Sequence, residues 1–250
     1  MRLLVINPNI STSVSDLIGA EARRAASPGT EIDMATASFG VAYIETRLEA
    51  VIAGYAVACA AAEHGAGHDG VVVAAFGDPG LAGLRELLDV PVVGMTEAAL
   101  MSACMLGQRF SIIAISHRIA AWYRECVDAN GLGGRLASIR SLDRPLANIA
   151  TVQEDHTTRL SELCETAVRE DGADVLILAG APLAGLARSL EGQLPVPVVD
   201  GVSSAVRHLE SLVSLRPGIA RAGSFARPPV KPNKGLPPSL AALLAERSQA

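Results

Sequence analysis

The stretch DGVVVAAFGDPGLAGL, residues 69–84, reads as an unbroken apolar strand, a turn holding two glycines and a proline, and a helix start. A strand with no polar alternation is covered on both faces, as strands of parallel sheets are. PVVG, residues 91–94, follows as a second short strand. The same order returns in the other half of the chain: DVLILAGAPLAGL at 174–186, then PVVD at 197–200. Strand, proline turn, LAGL helix start and PVV strand therefore occur twice, which reads as duplication. The competing explanation is that aliphatic βα units all look alike.

The pattern extends outward from these two stretches. Strands are predicted at 2–6, 31–36, 70–75, 91–94, 110–116, 135–140, 175–179 and 196–199. Amphipathic helices are predicted at 11–26, 45–63, 80–88, 97–106, 117–130, 151–170, 183–190 and 203–215. Alternation of this kind predicts an α/β fold with doubly wound parallel sheets. Duplication makes them two pseudo-symmetric domains that face each other, with the ligand site in the cleft between them. After residue 215 the texture changes: residues 216–238 carry six of the 14 prolines and both lysines. That segment is expected to be an extended arm ending in a short helix over 239–247. Its basic charge serves solubility, or it wraps a sister subunit.

Composition narrows the function classes. Half of the 250 residues are apolar and 19% are charged, so a large core is expected; aromatics are only 3%, so that core is aliphatic. The net charge of -5 argues against nucleic acid as a partner. The longest apolar run, residues 50–62, falls short of the roughly 20 residues a membrane helix needs. Cys59, Cys104, Cys126 and Cys164 show no zinc-ligand spacing and all fall in predicted helices, where a buried thiol is the default. With no signal-peptide core at the start of the sequence, a reduced, cytoplasmic setting is expected. The only lysines are Lys231 and Lys234, both in the arm, which leaves the body without a Schiff-base lysine and makes pyridoxal chemistry unexpected.

In such a fold, ligands meet the loops that follow the strands. Four loops stand out. Asn7 and Asn9 follow the first strand and could cradle a carboxylate or amide, or form an ordinary Asx turn. Phe76, Gly77 and Asp78 form the tight turn after the most apolar strand; Asp78 could act as a general base or cap a helix. Ser116 and His117 occupy the matching place in the second half, where His117 could move a proton or merely sit at a helix start. Gly180, Ala181 and Pro182 match the FGDPG turn and can offer shape and backbone N–H groups. Glu97 and Asp200 complete the rim and could equally cap the helices that follow them.

VINPN (5–9), AFGDPGL (75–81), PVVGMTEAA (91–99), FSII (110–113), EDGAD (170–174) and LAGLARSL (183–190) together resemble the hydantoin racemase branch of the aspartate/glutamate racemase superfamily, from Met1 to about Leu215. The resemblance implies two pseudo-symmetric α/β domains, the second inserted in the first. Residues 1–97 plus 203–215 would form domain one, 98–202 domain two, and 216–250 the arm. It also implies a site that needs no cofactor or metal, a small-molecule substrate and a homo-oligomer. The family works with two cysteines, one per domain, on opposite faces of the α-carbon. This sequence has Ala75 where the family reads CFGDPG, and Gly180 where it reads LGCAGM. Neither residue can carry a proton, so two-thiol racemisation is excluded.

The expected function is a cofactor-independent hydantoin or amino-acid racemase-like enzyme, an isomerase, acting on a small carboxylate, imide or cyclic ureide. Its proton carriers would be other than cysteine, with Asp78 and His117 as candidates. Asn7, Asn9, Ala75, Phe76, Gly77, Ser116, Gly180, Ala181 and Pro182 would bind the substrate. The alternatives are a lyase, decarboxylase or hydrolase in the same cleft, or a non-catalytic small-molecule binding protein.

Overall fold

The computed structural model describes residues 1–143, 149 and 151–247, without the side chain of Arg247; residues 248–250 of the expected arm lie outside the described residues. Eight strands form two four-stranded sheets. The first holds β1 (Arg2–Asn7), β2 (Glu31–Thr36), β3 (Gly70–Val73) and β4 (Val92–Gly94) in the order β2-β1-β3-β4. The second holds β5 (Phe110–Ala114), β6 (Leu136–Ser141), β7 (Val175–Ala179) and β8 (Val198–Asp200) in the order β6-β5-β7-β8. Every pairing is parallel. The two orders are the same, and the strands that matched in sequence, β3 with β7 and β4 with β8, hold the same places in the two sheets.

The helices form where the sequence supplies a start. Ser11 caps α1 (Thr12–Ala25) by accepting from the Val14 N–H. Thr46 and Glu49 make a capping box on α2 (Arg47–His64). After α3 (Leu81–Leu87) and α4 (Met95–Leu106), the segment predicted as one helix over 117–130 divides into a 3-10 turn, His117–Ile119, and α5 (Ala120–Ala129). Beyond α6 (Val152–Arg169), the GAPLAG segment spends Ala181–Leu183 in another 3-10 turn, so α7 (Leu186–Ser189) is shorter than predicted. The helix α8 (Gly201–Leu215) packs against β3 and β4 and between α1 and α4.

One aliphatic core runs through both halves, joining Leu3, Val5 and Val72 of the first sheet to Ile112, Ile177 and Val206. A second cluster covers the other face of the first sheet with α2, α3 and Leu240. Leu240 belongs to α9 (Pro238–Arg247), which lies on α2 and α3 of its own chain. Arg221 and Arg227 anchor the arm by pairing with Asp89. The arm, read from sequence as extended, is thus docked on the body of its own chain. Among the described residues, no helix is long and apolar enough to cross a membrane, and no cluster of His, Cys, Asp or Glu could hold a metal ion.

Candidate active site

The carboxyl ends of both sheets converge on a cavity of about 30 Å³. The first half supplies Asn9, Tyr43, Ile44, Ala75 and Phe76; the second supplies Ile115, Ile119, Tyr123, Gly180, Ala181 and Pro182. Six residues singled out from sequence are thus brought together: Asn9, Ala75, Phe76, Gly180, Ala181 and Pro182. Ala75 and Gly180 stand in walls contributed by different halves.

The remaining candidates stand behind the cavity and shape its walls. Fully buried Asn7 is an internal bracket: its Nδ2 donates to Asn9 Oδ1 at 3.1 Å and Ser15 Oγ at 2.9 Å, and its Oδ1 accepts from the Asn9 N–H. Asn9 Oδ1 also accepts from the Ser11 N–H, so the amide donor end is what Asn9 could offer a ligand. Gly77 is held at φ 107°, and a Cβ there would lie 2.2 Å from the Trp122 ring. Only glycine meets both demands. Ser116 caps the His117–Ile119 turn by accepting from the Arg118 N–H.

Neither expected proton carrier lines the cavity. Asp78, at φ 46°, turns its carboxylate onto the start of α4, where the two oxygens accept from the Thr96 N–H at 2.7 Å and the Glu97 N–H at 2.9 Å. Burial pushes its pKa up to about 7, against the opposing pull of those two N–H groups. Asp78 is the anchor of a helix end, committed on both oxygens. His117 is exposed on its turn. In this geometry Asp78 is engaged with α4 and His117 is exposed, and the lining of the cavity includes neither.

The opposite wall is clamped as firmly. Gln153 Nε2 donates to the Pro182 and Ala184 carbonyls at 2.9 and 3.0 Å. Asp200 Oδ2 accepts from the Gly185 N–H at 2.7 Å while its Oδ1 caps α8 through the Ser203 N–H. Gly180 itself sits at φ 116°, ψ 136°, in backbone territory that side chains avoid.

Five lining residues escaped the sequence reading: Tyr43, Ile44, Ile115, Ile119 and Tyr123. One signal was present. The chain has only eight aromatic residues, and three of them, Tyr43, Phe76 and Tyr123, line this one cavity. Phe76 and Tyr123 meet in a tilted contact, 4.5 Å between centroids and 50° between planes, with Trp122 beside Tyr123. Tyr43 and Tyr123 are the titratable side chains of the lining, one from each half, and burial raises both hydroxyls above their ordinary pKa. The four cysteines lie elsewhere, in α2, α4, α5 and α6, and burial pushes the Cys126 and Cys164 thiols up to about 12. The lining therefore offers hydroxyl and amide donors around an apolar space.

The family model described as Asp/Glu/Hydantoin racemase matches residues 3–209. This chain belongs to the Asp/Glu/hydantoin racemase family. It is 37% identical over 236 residues to a hydantoin racemase of Paenarthrobacter aurescens, covering 92% of this chain and 99% of that one. Its structure is similar to that of an allantoin racemase from Klebsiella pneumoniae, with TM-score 0.92, 37% identity, and coverage of 96% and 98% of the two chains. It is also similar to an allantoin racemase from Pseudomonas fluorescens, with TM-score 0.87, 36% identity, and coverage of 94% and 100%. The two four-stranded sheets are thus the α/β architecture of this racemase family.

Proposed function

We propose that this chain is a cofactor-independent isomerase of the racemase type, acting on a small cyclic ureide or imide in the cavity between the two sheets. The observation that carries the reading is the near full-length similarity to hydantoin and allantoin racemases, joined to a cavity at the carboxyl ends of both sheets. A planar ureide presents carbonyl acceptors, which suits the Asn9 amide and the two tyrosine hydroxyls. Residues 1–97 with 203–215, and residues 98–202, are the two domains in this reading, and the active form is a homo-oligomer.

Racemisation takes a proton from one face of a carbon and returns one to the other. Ala75 and Gly180, in the places where the family resemblance puts cysteines, can do neither. Tyr43 and Tyr123 replace Asp78 and His117 as the proposed carriers, because they stand in the lining and come from opposite halves. Each holds its proton at neutral pH, so the role that comes readily is proton donor, and the base form needs alkaline pH.

The absence of a thiol from both walls favours a second reading, in which the cavity binds its ligand without turnover. One experiment separates the two. Hydantoin, allantoin, aspartate and glutamate are incubated with the protein in heavy water, and loss of the α-proton signal is followed by NMR. Exchange on a ureide supports the racemase. A thermal shift on the same ureide without exchange supports the binding protein, and the absence of both on every compound overturns the site.

A further inference from the structure

The cavity has room for about one water molecule, whereas a five-membered ureide of about seven heavy atoms needs several times that space. A ligand of that size needs more room than the cavity offers in this conformation. Most of the walls are fixed. The turn at 75–80 is tied by Asp78 to α4, by the Gly77 N–H to Thr96 Oγ1 at 2.5 Å, and by contact with Trp122. The turn at 180–185 is tied by Gln153 and Asp200. The two halves share one continuous core, which resists their separation.

Residues 37–46, between β2 and α2, are different. Ser38, Gly40 and Ala42 are exposed, and Phe39, Val41, Tyr43 and Ile44 are half-buried. The segment is held at its ends, by the Ala37 N–H to the Asn7 carbonyl at 3.0 Å and by the Glu45 and Thr46 N–H groups to Glu49 Oε2 at 2.7 and 2.8 Å. Between them it touches the body through the Ile10 N–H to the Val41 carbonyl at 3.1 Å, the Phe39–Tyr55 ring contact at 5.5 Å and the packing of Phe39 and Ile44 on the core. It nevertheless delivers Tyr43 and Ile44 to the cavity. Directly after it, Arg47 at the start of α2 makes a two-pronged ion pair with Glu125 on α5, the helix that carries Tyr123. Both partners are more than half exposed, at 61% and 56%.

We infer that residues 37–46 form a lid over the cavity, with Tyr43 and Ile44 as its ligand-facing residues and the Arg47–Glu125 ion pair as its latch across the mouth. The identity of the ligand rests on the proposed function, but the motion does not, and the test reads the motion alone. An exposed ion pair is weak. A weak latch suits a door that must open and close in each ligand cycle.

The test uses the full chain carrying Ala75→Cys as a reporter inside the cavity, with iodoacetamide as probe. Alkylation at position 75 and at Cys104 on α4 is followed by peptide mass spectrometry. Slow alkylation at position 75 is expected in the parent. Arg47→Glu and Glu125→Arg should each speed it about two- to fivefold, the range set by an exposed pair. The combined charge swap should return it to the parent rate, and Tyr43→Ala should speed it more than either reversal. Rates at Cys104 should not change. The lid is overturned if position 75 reacts in the parent as fast as a small thiol in solution. It is overturned equally if neither reversal nor Tyr43→Ala alters the rate, or if Cys104 accelerates in parallel, which would mark general loosening.

Discussion

Asp78 and Asp200 make the same tie in opposite directions. In the first half, the carboxylate sits on the turn and reaches the N–H groups that begin α4. In the second half, the carboxylate sits at the start of α8 and reaches back to the Gly185 N–H of the turn. Each locks a cavity wall to the helix behind it, and each carboxyl is pushed up chiefly by burial.

These two groups set a pH dependence of stability. For Asp78, the folded pKa of about 7 lies above the ordinary value of 3.8, so the folded state holds the proton more tightly. The associated stability is complete below the ordinary value and is lost as pH rises toward 7. Between pH 5 and 8 the unfolding free energy from urea titration should fall, by on the order of 2 kcal/mol from Asp78 alone. Asp78→Asn should flatten that fall. Parallel curves for the two proteins would contradict it.

Glu21 works on the acid side. Burial raises its pKa, but hydrogen bonds from Arg24, Ser203 and Arg188 outweigh that and bring it to about 2. Its stabilisation is present above the ordinary 4.5 and is lost as pH falls toward 2. Glu21→Gln should lower the thermal midpoint at pH 6 and shrink the difference between parent and variant at pH 3. Because Arg188 joins Glu21 across from α7 to α1, the loss at pH 6 should be partly reproduced by Arg188→Ala.

Gly77→Ala should cost more than about 2 kcal/mol, since the new methyl would strike the Trp122 ring and the backbone is at positive φ. Adding Trp122→Leu should recover the steric part and leave the backbone part. Chemical denaturation of both variants checks this, and a single variant as stable as the parent would refute it.

Restoring thiols to the two walls should have unequal consequences. Ala75→Cys adds one sulfur at an ordinary wall position. Gly180→Cys would place its Cβ in ordinary van der Waals contact, with Ile115 and Pro182 at 3.7 Å, yet must hold φ 116°. It should cost about 1–3 kcal/mol from backbone strain. Thermal midpoints distinguish the two, and equal values would show that the turn relaxes freely.

If tyrosines carry the protons, deuterium exchange on a ureide should climb from pH 7 to pH 10, because both hydroxyls are raised above their ordinary values. Tyr43→Phe and Tyr123→Phe should each reduce exchange at least tenfold at pH 9, a larger loss than the weakening of ligand-induced thermal shifts expected from one missing hydroxyl donor. A rate that is flat with pH would remove the phenolate from the mechanism.

The fold was legible in the sequence because buried parallel strands leave unbroken apolar runs, such as residues 70–75, and because the duplicated order predicts equal sheets. Cavity residues on the loops that follow β1, β3 and β7 were legible for the same reason. The destination of the Asp78 carboxylate was not, since it depends on where β4 delivers the start of α4. Tyr43 sits in a segment with no motif, and Tyr123 reads as one more position on a helix. Their common feature, rarity of aromatics, becomes a signal only when the fold brings them together.

The seat of α8 has a consequence for biosynthesis. Gly70 at the start of β3 has no side chain, and the space beside it belongs to Leu209 of α8, close enough that a Cβ would lie 2.6 Å from Leu209. The residue that covers the first sheet therefore leaves the ribosome more than half a chain length after the strand it covers. The nascent first half must wait with an apolar face unsheltered, so chaperone dependence should concentrate in that interval, and truncations ending before α8 should aggregate rather than fold.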